Sequence, residues 1–231
     1  MALMGKLLIG AAYVVYAAFW IRILMHTLVW WRAARRLSTP PAPLPGSRVK
    51  VYALTAIDTV FFGRLLLVNP LLWAGEWVFH ASFALVLLRH LRFFLDPVPL
   101  CIWQVQTPGL IAGYLLPLSL VYILVVRLLT RRERYASPSN VVLLGLVLVI
   151  STLGVVMQAV YKPNLVDVKL FILGILHVAP AAAPESFLFL VHFCLVLVLV
   201  LILPSHIFTA PLVMMEARKR EQALHLVMHE E

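Results

Sequence analysis

Five times along this chain, apolar residues run on for about 20 positions with almost no charge among them. No soluble fold can hide that many such runs. They cover 7–30, 71–94, 108–129, 140–161 and 187–210. At about 1.5 Å of rise per residue, each is long enough to cross a hydrocarbon core about 30 Å thick. In lipid, every backbone N–H and C=O must find its partner within the chain, so each run reads as a helix. The chain is therefore expected to be an all-α polytopic membrane protein with five transmembrane helices. Composition agrees: 63% of the 231 residues are apolar and 13% charged, against about half and a quarter in a soluble domain. Disorder is excluded by the same apolar excess. The first run does not read as a cleaved signal, because only Lys6 precedes it and no small-residue cleavage site follows before Trp30-Trp31-Arg32.

The basic residues set an expected orientation. Twelve lie in the first loop, the third loop and the tail: Arg32 through Arg64, then Arg131, Arg132 and Arg134, then Arg218, Lys219 and Arg220. Four lie on the other side: Lys6, Arg92, Lys162 and Lys169. This places the N-terminus outside and the C-terminus in the cytoplasm, in the inner membrane of a bacterium or archaeon. Loop orientation also explains the net charge of +9, so nucleic-acid binding is not expected. Residues 1–210 form one membrane domain, and 211–231 read as a cytoplasmic tail that docks on a partner. Within the membrane domain, a proline-rich spacer at 40–46 leads into 48–69, expected as an interfacial cytoplasmic helix. An outer segment at 162–185 holds an apolar stretch too short and too polar to read as a sixth span.

The chemistry rests on histidine. His80 and His90 fall in the second run, and His192 and His206 in the fifth. Ionisable groups inside a membrane are costly, face the bundle interior and usually mark function. His80 and His90 are about 15 Å apart along a helix axis, and His192 and His206 about 21 Å. The two helices run in opposite directions, so His90 pairs with His192 toward the outside and His80 with His206 toward the cytoplasm. A pair of imidazoles from facing helices is what a low-spin b-type haem needs as axial ligands. Zinc is the metal rival, but the pairs lie too far apart to share one ion, and Glu76 is the nearest carboxylate. Cys101 and Cys194 cannot hold an iron–sulfur cluster by themselves, and no CxxCH motif is present. The competing class is a non-redox scaffold or transporter subunit whose histidines relay protons.

Other polar residues divide between structural and functional readings. Arg89 and Arg92 flank His90 and serve either as interfacial anchors or as partners of a haem propionate. Arg22 and His26 share a face of the first helix and make either a propionate contact or an interhelical bond. A quinol site needs a proton acceptor and hydrogen bonds, and Asp96, Gln104, Gln106, Lys169 and His177 are the available outer-side groups. Asp96 and His177 are the candidates among them. Gly109, Gly113, Gly145 and Gly154 either make room for a flat macrocycle or let helices approach closely. Cys194 is expected to be a small buried apolar side chain.

Two stretches carry a family resemblance. One is Arg64-Leu65-Leu66-Leu67-Val68-Asn69-Pro70-Leu71-Leu72-Trp73 with Phe79-His80 through His90-Leu91. The other is Val191-His192 through Leu203-Pro204-Ser205-His206, followed by Pro211. They resemble the second and last helices of the respiratory nitrate reductase gamma subunit family of di-haem cytochromes b. The resemblance implies five spans, two haems b ligated by the four histidines, a quinol site near the outer haem and a cytoplasmic iron–sulfur partner. In that family the last histidine stands several residues beyond the proline, whereas His206 follows Pro204 by two. That spacing is nearer to the cytochrome b subunits of sulfate-reducer membrane complexes, such as the high-molecular-weight cytochrome c (Hmc) complex. Their partners include a heterodisulfide reductase-like iron–sulfur subunit, other membrane subunits and a periplasmic multihaem cytochrome c. The chain is then an electron-transfer subunit of a quinone-linked oxidoreductase, with menaquinol or a periplasmic cytochrome as the outer partner.

Overall fold

The structure is a computed structural model that describes residues 2–36, 49, 53, 56–57, 60–129, 138–179 and 181–207. The helices are α1 (Ala2–Arg36), α2 (Gly63–Val68), α3 (Pro70–His90), α4 (Leu100–Gln104), α5 (Gln106–Leu129), α6 (Pro138–Ala159) and α7 (Leu165–Leu176), then α8 (Phe187–Ile207). A 3-10 turn, Leu91–Phe93, extends α3. Five segments are long and apolar enough to cross a membrane: Met4–Ala33, Pro70–Phe93, Gln106–Leu129, Asn140–Ala159 and Phe187–Ile207. Their ends fall within a turn of those read from hydropathy. The proline-rich spacer, the basic residues Arg131, Arg132 and Arg134, most of 48–59 and the tail 211–231 lie outside the described residues.

Chain contacts divide the protein into two compact units. The first comprises Met1–Tyr16 and Leu71–Val200, the second Ala17–Pro70 and Leu201–Glu231. At the centre of the first unit is α5. Its buried residues, Gly109, Ala112, Leu116, Ser119, Leu120, Ile123 and Val126, recur at the three- and four-residue steps that put side chains on one helical face. That stripe meets α3 and α6. In lipid the driving force for such contact is close packing rather than escape from water, and small residues let backbones approach. Glycine supplies the approach at two levels of the α3–α5 contact. A Cβ at Gly75 would stand 2.7 Å from Tyr122 Cδ1, and one at Gly109 would stand 2.7 Å from Arg89 Cβ. These contacts make α3 and α5 antiparallel. Pro117 lies inside α5, and the loss of one backbone bond there is tolerated between packed helices.

A second cluster forms where α7 folds back. Val168, Phe171 and Ile172 of α7 are buried with Ile9 of α1, Ala183 and Phe189. Phe171 meets Phe189 and Phe193 edge to face, with ring centroids 6.1 and 5.5 Å apart. The Tyr13 hydroxyl donates to the carbonyl of Ile175 at 2.8 Å. Local sequence defines both ends of α7. The Asn164 side chain accepts from the Val166 N–H at 3.0 Å, an N-cap that satisfies one of the free donors. At the other end Val178 turns left-handed at φ 56°, and the Ala179 N–H returns to the Gly174 carbonyl at 2.9 Å. The chain comes so close there that a Cβ on Gly174 would stand 2.7 Å from the Ala179 oxygen. With 12 residues, α7 is about 18 Å long and too short to span.

In the second unit, Arg22 on α1 donates through Nη1 to the Leu201 carbonyl of α8 at 2.9 Å. Of the two readings of Arg22, the structure holds the interhelical one. The Arg35 guanidinium covers the Trp31 ring, 4.0 Å from its centroid. Trp20, Ile21, Leu24 and Met25 of α1 are exposed, as expected of a surface that faces lipid.

Candidate cofactor site

His90 and His192 come together in the first unit. Each belongs to the same end of the helix bundle, which a chain of contacts fixes. Arg89 Nη2 on α3 donates to Gln158 Oε1 near the end of α6, at 3.2 Å. A Cβ on Gly154, one turn back on α6, would stand 3.7 Å from His192 Cε1 near the start of α8. The two imidazoles are close enough to interact electrostatically.

The rings are presented in a form suited to a metal. His90 Nδ1–H donates to the Val86 carbonyl at 2.7 Å. A carbonyl only accepts, so the proton must sit on Nδ1 and the Nε2 lone pair points away from the helix. His80 repeats the arrangement one level along, with Nδ1–H donating to the Glu76 carbonyl at 2.7 Å. Backbone-held Nδ1–H groups of this kind orient ligating histidines. His90 itself keeps accessible surface. Among the described residues, His192 Nδ1 is buried with no hydrogen-bond partner, although the ring meets the Ile150 backbone. A buried nitrogen left unsatisfied in this way is costly in an apolar interior.

Around His90 the charge is positive. Arg92 Nη1 donates to Gln106 Oε1 at 2.8 Å, and its guanidinium lies over the Phe93 ring, 4.6 Å from the centroid. Gln106 is held in turn by the Ile102 carbonyl at 3.0 Å. The acceptors that Arg89 and Arg92 meet among the described residues are amides, not carboxylates. Two guanidinium groups with neutral partners, beside an available imidazole nitrogen, suit a planar metal group that carries acidic side arms. Among the described residues no three His, Cys, Asp or Glu gather as a metal site, but an axial pair needs two ligands only.

The remaining sequence candidates fall into place individually. Asp96 is not a free proton acceptor: its Oδ1 accepts from Lys169 Nζ at 2.8 Å, tying the loop after α3 to α7. His177 is the exposed C-cap of α7. Of the four glycines, Gly109 serves close packing, Gly113 and Gly145 have nothing within 4 Å, and Gly154 faces His192. Cys194 is exposed rather than buried, because it sits on the outer face of α8, away from the Phe189–Phe193 side. His80 is described with the first unit and His206 with the second. Sequence reading passed over Arg127, which donates to Glu76 across 51 residues at 2.7 Å. Opposite charges inside two apolar runs were the available signal.

No protein-family model matches the chain, and no solved structure does. Two archaeal proteins are similar to it, and both are named Hdr-like menaquinol oxidoreductase cytochrome b-like subunit. The one from Archaeoglobus profundus is 27% identical over 240 aligned positions, covering 83% of this chain and 71% of the relative. The one from Archaeoglobus fulgidus is 34% identical over 140, covering 54% of this chain and 42% of the relative. With five spanning helices, these likenesses support a cytochrome b-like, multi-pass membrane subunit of a redox complex.

Proposed function

We propose that the chain is the di-haem cytochrome b subunit of a menaquinol-linked oxidoreductase in an archaeal or bacterial cytoplasmic membrane. The observation that carries this reading is the meeting of His90 and His192 at one end of the bundle, flanked by Arg89 and Arg92 with neutral partners. His90 and His192 would hold an outer haem b, and His80 and His206 an inner one. When bound, the haems supply one-electron carriers spaced across the bilayer.

The protein's own residues do the rest. Val86 and Glu76 hold the Nδ1 protons of His90 and His80, so that each ring would ligate through Nε2. Arg89 and Arg92 compensate acidic groups at the outer site. Phe171, Phe189 and Phe193 pack the side of α8 that carries His192 and keep water from it. The outer face, with the N-terminus, offers the place for menaquinol or a periplasmic multihaem cytochrome c. The basic loops and tail present positive charge to a cytoplasmic iron–sulfur subunit, heterodisulfide reductase-like as the relatives' name suggests, with other membrane subunits alongside.

A dithionite-reduced minus oxidised spectrum of the purified protein, with a pyridine haemochrome count, tests the reading. Two b haems per chain are expected. His90→Ala and His192→Ala should remove one of them, and His80→Ala and His206→Ala the other. A colourless protein would refute the reading and leave the scaffold or proton-relay class.

A further inference from the structure

One charged pair within the spanning helices has no part in the site just described. Glu76 on α3 and Arg127 on α5 are 13% and 18% exposed, with Oε1 and Nη2 2.7 Å apart. Among the described residues, Arg127 Nε and Nη1 are buried without an acceptor, and the Glu76 carboxylate is the group that compensates this cation. Breaking such a pair leaves an uncompensated charge, which the interior strongly disfavours. The backbone beside it is equally constrained. A Cβ on Gly75 would stand 2.7 Å from Tyr122 Cδ1 and 2.9 Å from Ile123 Cγ1, and the Tyr122 hydroxyl donates to the Leu71 carbonyl at 3.2 Å. At this level α3 and α5 are closely packed.

His80 lies one turn farther along α3. Its Nδ1–H donates to the Glu76 carbonyl at 2.7 Å, and Glu76 Oε2 is 3.9 Å from the same nitrogen. A single residue thus presents both its carbonyl and its carboxylate to one side of the ring. His90 has only a carbonyl there, from Val86, and its neighbours Arg89 and Arg92 are cations.

We infer that Glu76, anchored by Arg127, is a positioning residue for His80 that also makes this imidazole a more electron-rich donor than His90. The inference rests on the assignment of His80 as an iron ligand. The Nδ1–H bond to the Glu76 carbonyl fixes the ring, and the carboxylate 3.9 Å away adds negative charge beside it through space. Negative charge there favours the oxidised metal, so its removal raises the midpoint potential of the His80 site alone.

Potentiometric titration of the purified full-length protein tests this, with the two b-type components identified by their loss in His80→Ala and His90→Ala. Glu76→Gln keeps the backbone carbonyl and an acceptor for Arg127 but removes the charge. The expected result is a change of about tenfold in the oxidised-to-reduced ratio of the His80 component at fixed potential, about 59 mV for one electron. The His90 component should move far less. Glu76→Asp, which keeps the charge, should stay near the wild-type value. A merely structural role predicts the reverse, with the isosteric Gln harmless and the shortened Asp disruptive. Loss of the His80 pigment in the Gln variant with retention in the Asp variant also supports a need for the charge. An unmoved potential in Glu76→Gln, an equal shift of both components, or loss of the pigment in both variants overturns the inference. Absence of any b-type pigment in the wild type would instead remove the haem assignment beneath it.

Discussion

Gly109→Ala should destabilise the helix bundle although alanine is the better helix former. The added Cβ would meet Arg89 Cβ at 2.7 Å, Arg89 Cδ at 3.0 Å and the Leu85 carbonyl oxygen at 3.1 Å. Carbon atoms rest at about 3.5–4.0 Å, so a gap of roughly 1 Å must open. Two of those three atoms belong to the α3 backbone or are bonded directly to it, so no rotamer change can relieve the contact. The helices themselves must separate. Overpacking of this kind costs about 1–3 kcal/mol, and the gain in helix propensity returns up to about 1 kcal/mol. With the full propensity gain subtracted, a net loss of up to about 2 kcal/mol follows, at the end of the bundle that holds His90. Gly10→Ala is the control, since Gly10 is exposed on α1 with nothing within 4 Å. It should be neutral or stabilising by up to about 1 kcal/mol. Reversible unfolding in mixed detergent micelles measures both. If the two variants change stability alike, the close approach of α3 to α5 is not as described.

Phe171→Ala should cost about 3–5 kcal/mol in the same unfolding assay, because Phe171 is fully enclosed by aromatic and aliphatic neighbours. Tyr13→Phe removes the bond to the Ile175 carbonyl, which keeps the Val178 N–H as a partner, and should cost about 0.5–1.5 kcal/mol. Limited proteolysis of the α7 region reads this locally. Lys169→Met should change stability by under about 1 kcal/mol, since Asp96 is 63% exposed in that pair, and high salt should erase the difference. Arg89→Gln and Arg92→Gln should each weaken retention of the outer pigment by about tenfold, measured as transfer to a haem-scavenging apoprotein, as expected when a charged hydrogen bond is lost.

Much of this architecture is local in origin and therefore legible in the residues alone. A helix in lipid must close its own backbone hydrogen bonds, so an apolar run of sufficient length becomes a spanning helix whatever its neighbours are. The five spans follow from that, and the alternation of direction from one span to the next sets His90 and His192 at one level of the bundle. The same logic marks Glu76 and Arg127 as exceptional residues, but not as a pair. Tertiary packing decided which helix faces touch, because interhelical contact in a membrane depends on the shape of small residues rather than on hydropathy. Gly109 and Gly113 look alike in sequence, yet one is pressed against Arg89 and the other has open space beside it. Asp96 reads as a free outer carboxylate until α7 folds back and brings Lys169 to it. Glu76 and His80 meet within one turn of a single helix, but only packing brings Arg127, 51 residues away, to the Glu76 carboxylate. Span number and order came from a rule that acts within each helix, whereas partnerships between helices came from contacts that no single helix specifies.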